Sequence, residues 1–379
     1  MVSGQTLETV RRHLAVFGHR PTLTNIADAL RETGQVVSQR QILDIFEGIS
    51  RDSLGLGVLD QLLDIDGVTD IVVNGPNQVF FDCGQGLEPA LISFSSDDEV
   101  RQLGVRLAAS VGRRLDDGSP FVDARLHNGV RFHGVLAGIS HPGTCLSLRI
   151  PAKTCLSLED WESGGGVDRQ AGMILRRIVD LKVAFLISGG TGSGKTTLLG
   201  SLLSLVPPSE RLVVVEDSRE LDPSHPHLVS LESRPANGEE AGRVTMTDLV
   251  RQALRMRPDR LVVGEVRGAE LRDLLQALNT GHEGGCGTIH ANSIGDIPAR
   301  LEALGALSGL SPAATHAQVV SAIRVVIHVV RRGPVREVSQ IGVLVRGSSD
   351  RLESVLAWSR CGQETQRGPG WDLLGGLLS

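Results

Sequence analysis

The stretch GGTGSGKTT at residues 189–197 matches the pattern G-x-x-x-x-G-K-[ST] without interruption. It follows the apolar run at residues 183–187, so the sequence predicts a buried strand, a glycine-rich turn and the start of a helix, in that order. Glycines let the backbone curl around an anion because they place no Cβ in its way, and the free N–H groups of the helix start then face the anion. The chain is therefore expected to bind a nucleoside triphosphate rather than to form an ordinary flexible turn here.

The positions of this loop have distinct predicted roles. Lys195 supplies a point charge for the outer phosphates, and the Thr196 hydroxyl can ligate Mg²⁺. The predicted nucleotide-binding residues are Gly189, Gly190, Thr191, Gly192, Ser193, Gly194, Lys195, Thr196 and Thr197.

Length and composition restrict the class of protein. The chain has 379 residues, 41% of them hydrophobic, which suits two or three globular domains of about 150 residues each. With 38 basic and 44 acidic residues the net charge is -6, and 3% aromatics without tyrosine leave few side chains for stacking bases, so constitutive nucleic-acid binding is disfavoured. Five scattered cysteines without C-x-x-C suggest a reducing compartment. No signal-type segment or bilayer-length apolar run is seen, so membrane association is expected only through partners.

Four segments are predicted along the chain. Helical apolar spacing marks a lead-in at residues 1–60, and an α+β domain follows at 61–150, opening with a β-hairpin around Asn74 and Gly75. At 151–346 strands and helices alternate, which is typical of a mostly parallel sheet. The strands predicted there are 183–187, 212–215, 261–263, 287–291 and 325–330. The last segment, 347–379, is rich in Gly, Ser and Arg and predicts a loosely ordered tail.

Two acidic residues follow apolar strands of the predicted parallel sheet. Glu265 follows the run 261–264, and Glu216 ends the run 212–215. Carboxylates at the carboxyl ends of parallel strands lie where ligands bind in open α/β sheets. Glu265 is therefore expected to polarise water or hold the metal, and Glu216 to act beside it. The alternative for each is a surface acid that caps the next turn.

The segment GHEGGCGTIHANS at 281–293 allows two interpretations. His282, Cys286 and His290 would share one face of a helix and could ligate zinc, but the four glycines among them disfavour that helix. The preferred interpretation is a glycine loop that enters a strand and delivers His290 to the nucleotide, where it could sense the γ-phosphate. A histidine merely packed in the core remains the alternative.

A triphosphate commonly needs an arginine from another domain or subunit in addition to lysine and Mg²⁺. Arg113, Arg125 and Arg131 surround the turn His127-Asn128-Gly129 of the predicted α+β domain and are candidates for this role. Solvated surface charges are the competing interpretation.

Four motifs in order, GGTGSGKTT, VVVEDSRE, LVRQALRMRPDRLVVGEVRG and TGHEGGCGTIHANS, resemble the loop, acidic box, Walker B-type box and histidine box of the type II/type IV secretion traffic ATPases. The tight-adherence pilus and conjugation-type members are the most similar branch. The resemblance covers roughly residues 60–345. It implies an α/β protein with a RecA-like P-loop motor domain, a smaller α+β N-terminal domain and a helical lead-in.

The same resemblance implies a Mg²⁺-dependent ATPase that binds ATP, forms a ring, expected to be a hexamer, and works at the cytoplasmic face of the inner membrane with a platform protein. It would power pilus assembly, protein secretion or conjugal transfer. The catalytic residues carried over are Lys195, Glu265, Glu216, His290, Arg113, Arg125 and Arg131, with Thr196 and Glu265 as metal ligands. Asn128 and Cys286 depart from the expected pattern. A DNA-translocating motor and a non-hydrolysing assembly scaffold remain alternatives.

Overall fold

The computed structural model describes residues 10, 23–32, 42, 55–84, 86–126, 128–151, 156–234, 242–333, 335–348, 350–362 and 364–379. The chain divides into two compact units, Met1–Ala152 and Lys153–Ser379. Of the predicted helical lead-in, the described part includes a helix at Leu23–Glu32, whereas residues 43–49, which carried much of its apolar spacing, lie outside the described residues.

Within the described ranges the helices and strands alternate irregularly in the first unit and regularly in the second. The helices are α1 (Leu23–Glu32), α2 (Asp60–Leu63), α3 (Asp97–Ser110), α4 (Leu158–Ser163), α5 (Arg169–Asp180), α6 (Lys195–Leu203), α7 (Met246–Ala253), α8 (Glu270–Asn279), α9 (Ile297–Leu307), α10 (Pro312–Ala322) and α11 (Trp371–Leu377). The strands are β1 (Asp70–Asn74), β2 (Val79–Asp82), β3 (Leu87–Pro89), β4 (Phe121–Arg125), β5 (Arg131–Val135), β6 (Cys145–Arg149), β7 (Phe185–Gly189), β8 (Leu212–Glu216), β9 (Leu228–Glu232), β10 (Arg260–Val263), β11 (Cys286–His290), β12 (Val325–Arg332), β13 (Val335–Arg346), β14 (Leu352–Cys361) and β15 (Glu364–Arg367).

The first unit packs α3 against an antiparallel sheet. Among the described strands the order is β3-β2-β1-β6-β5-β4, and the predicted hairpin is confirmed by the pairing of Asp70 with Asp82. α3 begins where the Ser96 side chain accepts a hydrogen bond from the Glu99 N–H, an N-cap that satisfies one of the free donors of the first turn. Gly104 on α3 lets the helix lie close to the sheet, since a Cβ there would come within 3.0 Å of Leu146.

The second unit is built on a mixed sheet with β7 at its centre. In the described part of the chain the order is β15-β14-β13-β12-β7-β11-β10-β8-β9. β12 and β11 flank β7 in parallel, and β10, β8 and β9 continue the parallel part. The strands predicted for this region are confirmed, with bounds shifted by up to two residues. β7, β8 and β10 are buried at every position, as expected of strands covered by helices on both faces.

The prediction of a loosely ordered tail is wrong. β14 pairs antiparallel with β13, β15 pairs antiparallel with β14, and α11 packs against β13 and β14. Trp358 on β14 has no exposed surface and belongs to the same hydrophobic cluster as Phe185 of β7. The prediction rested on the Gly, Ser and Arg content of this segment. It overlooked the few apolar residues that complete the core of the second unit. Among the described residues, no helix combines the length and apolarity needed to cross a membrane.

We expect Trp358→Ala to lower the free energy of unfolding by about 3–5 kcal/mol, because it leaves a cavity in a packed core. The measurement is urea denaturation followed by circular dichroism. Leu373→Ala is the matched control in the same segment: Leu373 is 49% exposed, so the expected loss is within about 0.5 kcal/mol. Equal, small losses for both variants would mean that the segment does not belong to the core.

Candidate functional site

The glycine-rich loop joins the end of β7 to the start of α6. Gly192 and Gly194 have positive φ angles of 69° and 97°, and Gly194 is the N-cap of the helix. This conformation favours glycine, and the helix that begins directly after the loop leaves free N–H groups at its first turn. The Ser193 side chain is buried, and its hydroxyl has no hydrogen-bond partner among the described residues. A buried polar atom without a partner is the feature expected of a loop shaped for a polar ligand.

The Lys195 ammonium folds back onto its own loop. It donates to the carbonyl oxygens of Gly189 at 3.0 Å and Gly190 at 2.8 Å. Burial lowers the pKa of Lys195; the nearby Arg267 acts in the same direction, and the carboxylates of Glu265 and Glu220 oppose it. The ammonium therefore lies in the field of the acidic residues that follow β8 and β10.

Two of the loop glycines allow close packing against other parts of the second unit. A Cβ on Gly189 would lie 2.4 Å from the Val329 carbonyl oxygen of β12. A Cβ on Gly194 would lie 2.8 Å from Cδ of Arg336 and 3.2 Å from the Trp161 ring. The loop is thus held on both sides by atoms that only glycine accommodates.

Glu265 sits on a backbone turn fixed by its neighbours. The Gly264 N–H donates to the Val215 carbonyl at 2.8 Å, and the Thr288 hydroxyl donates to the Gly264 carbonyl at 2.6 Å. On the other side of Glu265, the Val266 N–H donates to the Thr288 carbonyl at 2.8 Å. β8 and β11 therefore position this turn at the carboxyl edge of the sheet, where the glycine-rich loop also lies.

Arg267 is a residue of this site that the sequence motifs did not single out. Its guanidinium lies 2.5 Å from the Glu265 carboxylate, and this hydrogen bond raises the pKa of Arg267. The backbone beneath it is anchored: the N–H groups of Arg267 and Gly268 donate to one carboxylate oxygen of the buried Glu270, at 2.6 and 2.7 Å. A cation two residues after the predicted catalytic acid was the only available signal in the sequence.

Glu216 is buried at the end of β8, beside the turn that carries Glu265. A Cβ on Gly264 would lie 2.5 Å from Cγ of Glu216. One carboxylate oxygen of Glu216 accepts from the N–H groups of Glu220 and Leu221, both at 3.0 Å. Glu216 therefore shapes the acidic loop that follows β8, which is the turn-capping role weighed as its alternative.

The structure separates the two histidines of the fourth motif. His290 ends β11 and pairs in register with Gly189, so it lies at the edge that carries the glycine-rich loop. His282 precedes β11, and its ring nitrogen lies 3.2 Å from the Ala277 carbonyl at the end of α8. Because β11 runs between them, the two rings cannot act at one point. Cys286 is buried in the same strand, and burial raises the pKa of its thiol to about 12.

The candidate arginines belong to the first unit. Arg125 and Arg131 are cross-strand neighbours on β4 and β5. The Arg131 guanidinium donates to Asp123 at 2.9 Å, and Arg125 donates to the Gly129 carbonyl at 3.4 Å. Asn128 forms the turn between them by accepting the Val130 N–H at 3.2 Å. Arg113 lies half-buried after α3. The structure thus groups Arg125 and Arg131 at one hairpin.

Comparison with known proteins gives the family. The family model for "Type II/IV secretion system protein" matches residues 52–368. The chain belongs to this family. It is 48% identical over 330 residues to "Putative conjugal transfer protein Rv3659c" of Mycobacterium tuberculosis strain H37Rv, covering 85% of this chain and 94% of that protein. It is 32% identical over 299 residues to the conjugal transfer protein TrbB of Rhizobium radiobacter, covering 77% and 88%.

Solved structures support the fold of this secretion system protein. The pilus retraction motor PilT with bound ADP is 18% identical, covers 85% of each chain and gives a TM-score of 0.53. The ATPase DotB of Yersinia pseudotuberculosis is 16% identical, with 84% and 81% covered and a TM-score of 0.53. At these identities the likeness concerns the fold alone, and it confirms the predicted RecA-like P-loop fold class.

The positive φ and the close packing of Gly194 make this position sensitive to substitution. Gly194→Ala is expected to lower the free energy of unfolding by about 1–3 kcal/mol, because alanine is strained at φ of 97° and its Cβ meets Arg336. Gly190→Ala is the control: its φ is not positive and a Cβ there meets nothing within 4 Å, so we expect a change of less than about 0.5 kcal/mol. Urea denaturation measures both, and equal effects would contradict the close approach at Gly194.

Proposed function

We propose that this chain is an ATP-hydrolysing motor of a secretion or conjugal-transfer system. The observation that carries the proposal is the pairing, at one sheet edge, of a phosphate-type loop bearing Lys195 with an acidic turn bearing Glu265, the two side chains being close enough to interact electrostatically. Such a pair supplies both requirements of phosphoryl transfer to water: a cradle with positive charge and a residue that orients the nucleophile.

Lys195 performs the binding step in this proposal. Its ammonium exchanges the carbonyls of Gly189 and Gly190 for phosphate oxygens, which are stronger partners because they carry full negative charge. The loop N–H groups and the Ser193 hydroxyl complete the cradle. Because these donors sit on a backbone that does not need to rearrange, they stabilise the charge that develops in the transition state.

Glu265 performs the chemical step. Its carboxylate orients a water molecule, accepts a proton from it, and so favours attack on the terminal phosphorus while the bond to the ADP oxygen breaks. Arg267 competes for the same carboxylate, and it must release at least one oxygen of Glu265 for this role.

The residues present also fit Mg²⁺. Mg²⁺ is coordinated by oxygen atoms. The protein commonly supplies one or two of them, and phosphates and water supply the rest. The hydroxyl of Thr196 and the carboxylate of Glu265 are the oxygen donors that would hold it. When bound, Mg²⁺ supplies positive charge that offsets the charge of the phosphates.

The names of the relatives support the biological role. The mycobacterial and rhizobial relatives are named for conjugal transfer, and a protein of Bordetella pertussis, 33% identical over 266 residues, is named the type IV secretion system protein PtlH. We propose a homo-oligomer, a hexamer, that acts at the cytoplasmic face of the inner membrane with a membrane platform protein. The net charge of -6 favours transport or assembly over translocation along DNA.

Lys195→Ala and Glu265→Gln are expected to fail at different steps. Lys195→Ala removes the positive charge that binds the phosphates, so ATP affinity and turnover both fall, turnover by on the order of 10²-fold or more. Glu265→Gln keeps the cradle, so binding of a fluorescent ATP analogue persists while turnover falls by about 10²–10⁴-fold. Phosphate release and fluorescence titration measure the two quantities.

The matched controls lie elsewhere in the same unit. Lys182 pairs with Glu210 before the start of β7, and Glu283 is exposed between α8 and β11. Lys182→Ala and Glu283→Gln should therefore retain turnover. Wild-type turnover in Lys195→Ala would exclude the motor function, and loss of ATP binding in Glu265→Gln would assign Glu265 to binding instead.

The role of the arginines of the first unit can be tested by mixing two inactive variants. We propose that Arg113, Arg125 and Arg131 act on the nucleotide of a neighbouring subunit. A triple alanine variant and Lys195→Ala should each be inactive alone, whereas mixed rings should regain activity where intact arginines meet an intact loop. Turnover across mixing ratios is the measurement.

Arg114→Ala is the control for loss of surface charge, because Arg114 is exposed and pairs with Asp116 on the same unit. It should retain full turnover alone. Activity of the mixture that never exceeds the sum of its parts would show that these arginines do not act between subunits.

A further inference from the structure

The hairpin of β12 and β13 projects beyond the sheet edge that carries the glycine-rich loop. β12 runs parallel to β7, and Val329 is its last residue in register with β7, opposite Gly189. β12 then continues to Arg332, which pairs with Val335 at the start of β13. At about 3.3 Å per residue, positions 330–332 reach roughly 10 Å past Gly189. The tip of this hairpin therefore extends along the side of the loop.

Contacts within the second unit hold both strands of the hairpin in this position. The Ser188 hydroxyl of β7 lies 2.9 Å from Nδ1 of the buried His328 on β12. On the β13 side, the Val338 N–H donates to the Gly166 carbonyl at 2.8 Å. A Cβ on Gly166 would lie 2.4 Å from the Arg336 carbonyl oxygen, so the two backbones are in close contact. The backbone that carries Arg336 is thus fixed beside the loop.

The Arg336 side chain packs against the end of the glycine-rich loop. A Cβ on Gly194 would lie 2.8 Å from Cδ and 3.6 Å from Cβ of Arg336, so the stem of this arginine covers the N-cap residue of α6. The Trp161 ring lies beside it, 3.2 Å from the same position, and its Nε1–H donates to the Ser201 hydroxyl of α6 at 3.0 Å. Because the stem is already packed, the guanidinium loses little further freedom when it binds a ligand.

The guanidinium of Arg336 forms no hydrogen bond or ion pair with any residue in the described part of the chain. The other arginines of the hairpin tip are engaged: Arg332 pairs with the buried Glu337, and Nε of Arg331 donates to the Gly333 carbonyl at 3.0 Å. Arg336 is half-buried, and burial costs a charged group part of its hydration. Since no described carboxylate compensates for that loss, Arg336 is available to an anion from outside the chain.

The pairing of the hairpin also points to an anion. Arg331 and Arg336 lie directly opposite each other, so their side chains leave the same face of the strand pair. Like charges in this arrangement repel and destabilise the pair. Val329 lies on that face too, in one hydrophobic cluster with Leu198 of α6. An anion bound to Arg336 would offset the repulsion on the side where the loop helix packs.

We propose that Arg336 is a nucleotide-binding residue whose guanidinium contacts the phosphate nearest to the nucleoside when a nucleotide occupies the glycine-rich loop. This role rests on the proposed function. Lys195 donates to the carbonyls of Gly189 and Gly190 at the beginning of the loop, the end to which the proposed chemistry assigns the terminal phosphate. Arg336 lies at the other end, on Gly194. A nucleotide laid along the loop would therefore meet a cation at each end.

Arg336→Gln tests the contact because it removes the charge and keeps most of the stem that packs on Gly194. ATP and ADP share the phosphate nearest to the nucleoside. We therefore expect the Kd of both to rise by a similar factor, about tenfold or more, as for loss of a hydrogen bond to a charged group. Arg336→Lys keeps the charge without the planar fork and should lose less affinity. The measurement, on the full chain, is competition of ADP and a non-hydrolysable ATP analogue against a fluorescent ADP analogue.

Arg331→Gln is the matched control. It removes the same charge at the position directly opposite, where the guanidinium is bound to the turn of the hairpin. We expect its Kd values to change by less than about twofold, because a charge that does not touch the ligand acts on it only through a screened field. Urea denaturation of Arg336→Gln should give the wild-type midpoint, since the substitution breaks no hydrogen bond or ion pair among the described residues.

The salt dependence distinguishes a phosphate contact from a contact with the base. Screening weakens an attraction between charges, so the ratio of the Kd of Arg336→Gln to that of the wild type should shrink as the salt concentration rises. A ratio that stays constant would indicate stacking on the base and would overturn the phosphate contact. A loss confined to the ATP analogue, with ADP binding unchanged, would place Arg336 at the terminal phosphate and would overturn it as well.

The outcomes separate this role from the proposed function. ADP binding does not require turnover, so a wild type that binds nucleotide without hydrolysing it removes the ATPase proposal and leaves the test of Arg336 intact. If instead the wild type hydrolyses ATP, and Arg336→Gln binds both nucleotides as tightly as the wild type, Arg336 does not contact the nucleotide. Equal weakening in Arg331→Gln and Arg336→Gln would also exclude a direct contact, since only the general field of the hairpin would then act.

Discussion

The parallel pairing of β7 between β12 and β11 is the constraint on which the site depends. Its register places Gly189 opposite Val329 on one side and His290 on the other. Because parallel strands end at the same edge, the loop after β7 meets the residues that end its neighbours. A shift of this register by one residue would turn every side chain of β7 to the opposite face and would separate Ser188 from His328. The fully buried apolar residues of β7 make such a shift costly, so the packing of the core also fixes the geometry of the site.

At this edge of the sheet, the groups that hold the backbone in place are different from the charged side chains that would meet a ligand. Gly264, Val266 and Gly268 are hydrogen-bonded to neighbouring strands or to the buried Glu270, and none of these contacts involves the charges that would meet a ligand. The charged groups of Glu265 and Arg267 form an ion pair with each other, and the Lys195 ammonium donates hydrogen bonds to carbonyl oxygens of its own loop. Those contacts can be exchanged for others without moving the main chain. A site of this design changes partners at little structural cost, which suits a cycle of binding and release.

The features that depend on a local sequence pattern were predicted correctly from the sequence. The glycine-rich loop, the apolar strands and the turn carrying Glu265 each have their signal within about ten residues, and the structure contains them. Contacts between distant segments had no such signal: His328 and Ser188 are 140 residues apart, and only the strand order brings them together. The separation of His282 from His290 did have a local signal, since the glycines and the strand predicted at 287–291 lie between them, as the observed β11 does. The segment after residue 347 was misjudged because a few buried residues, above all Trp358, outweigh its polar composition.

The presence of a buried Ser–His pair beneath the loop is not explained by stability. A net hydrogen bond between neutral groups contributes about 0.5–1.5 kcal/mol, whereas one left half-made costs about 1–3 kcal/mol, so apolar residues of similar shape would fill the space more safely. Valine and isoleucine occupy most of the remaining positions of β12 and pack without this risk. What a polar pair adds is direction: the hydrogen bond between Ser188 and His328 is kept only while β7 and β12 hold their register. A contact with that property ties β7 to β12 at the edge where the glycine-rich loop begins.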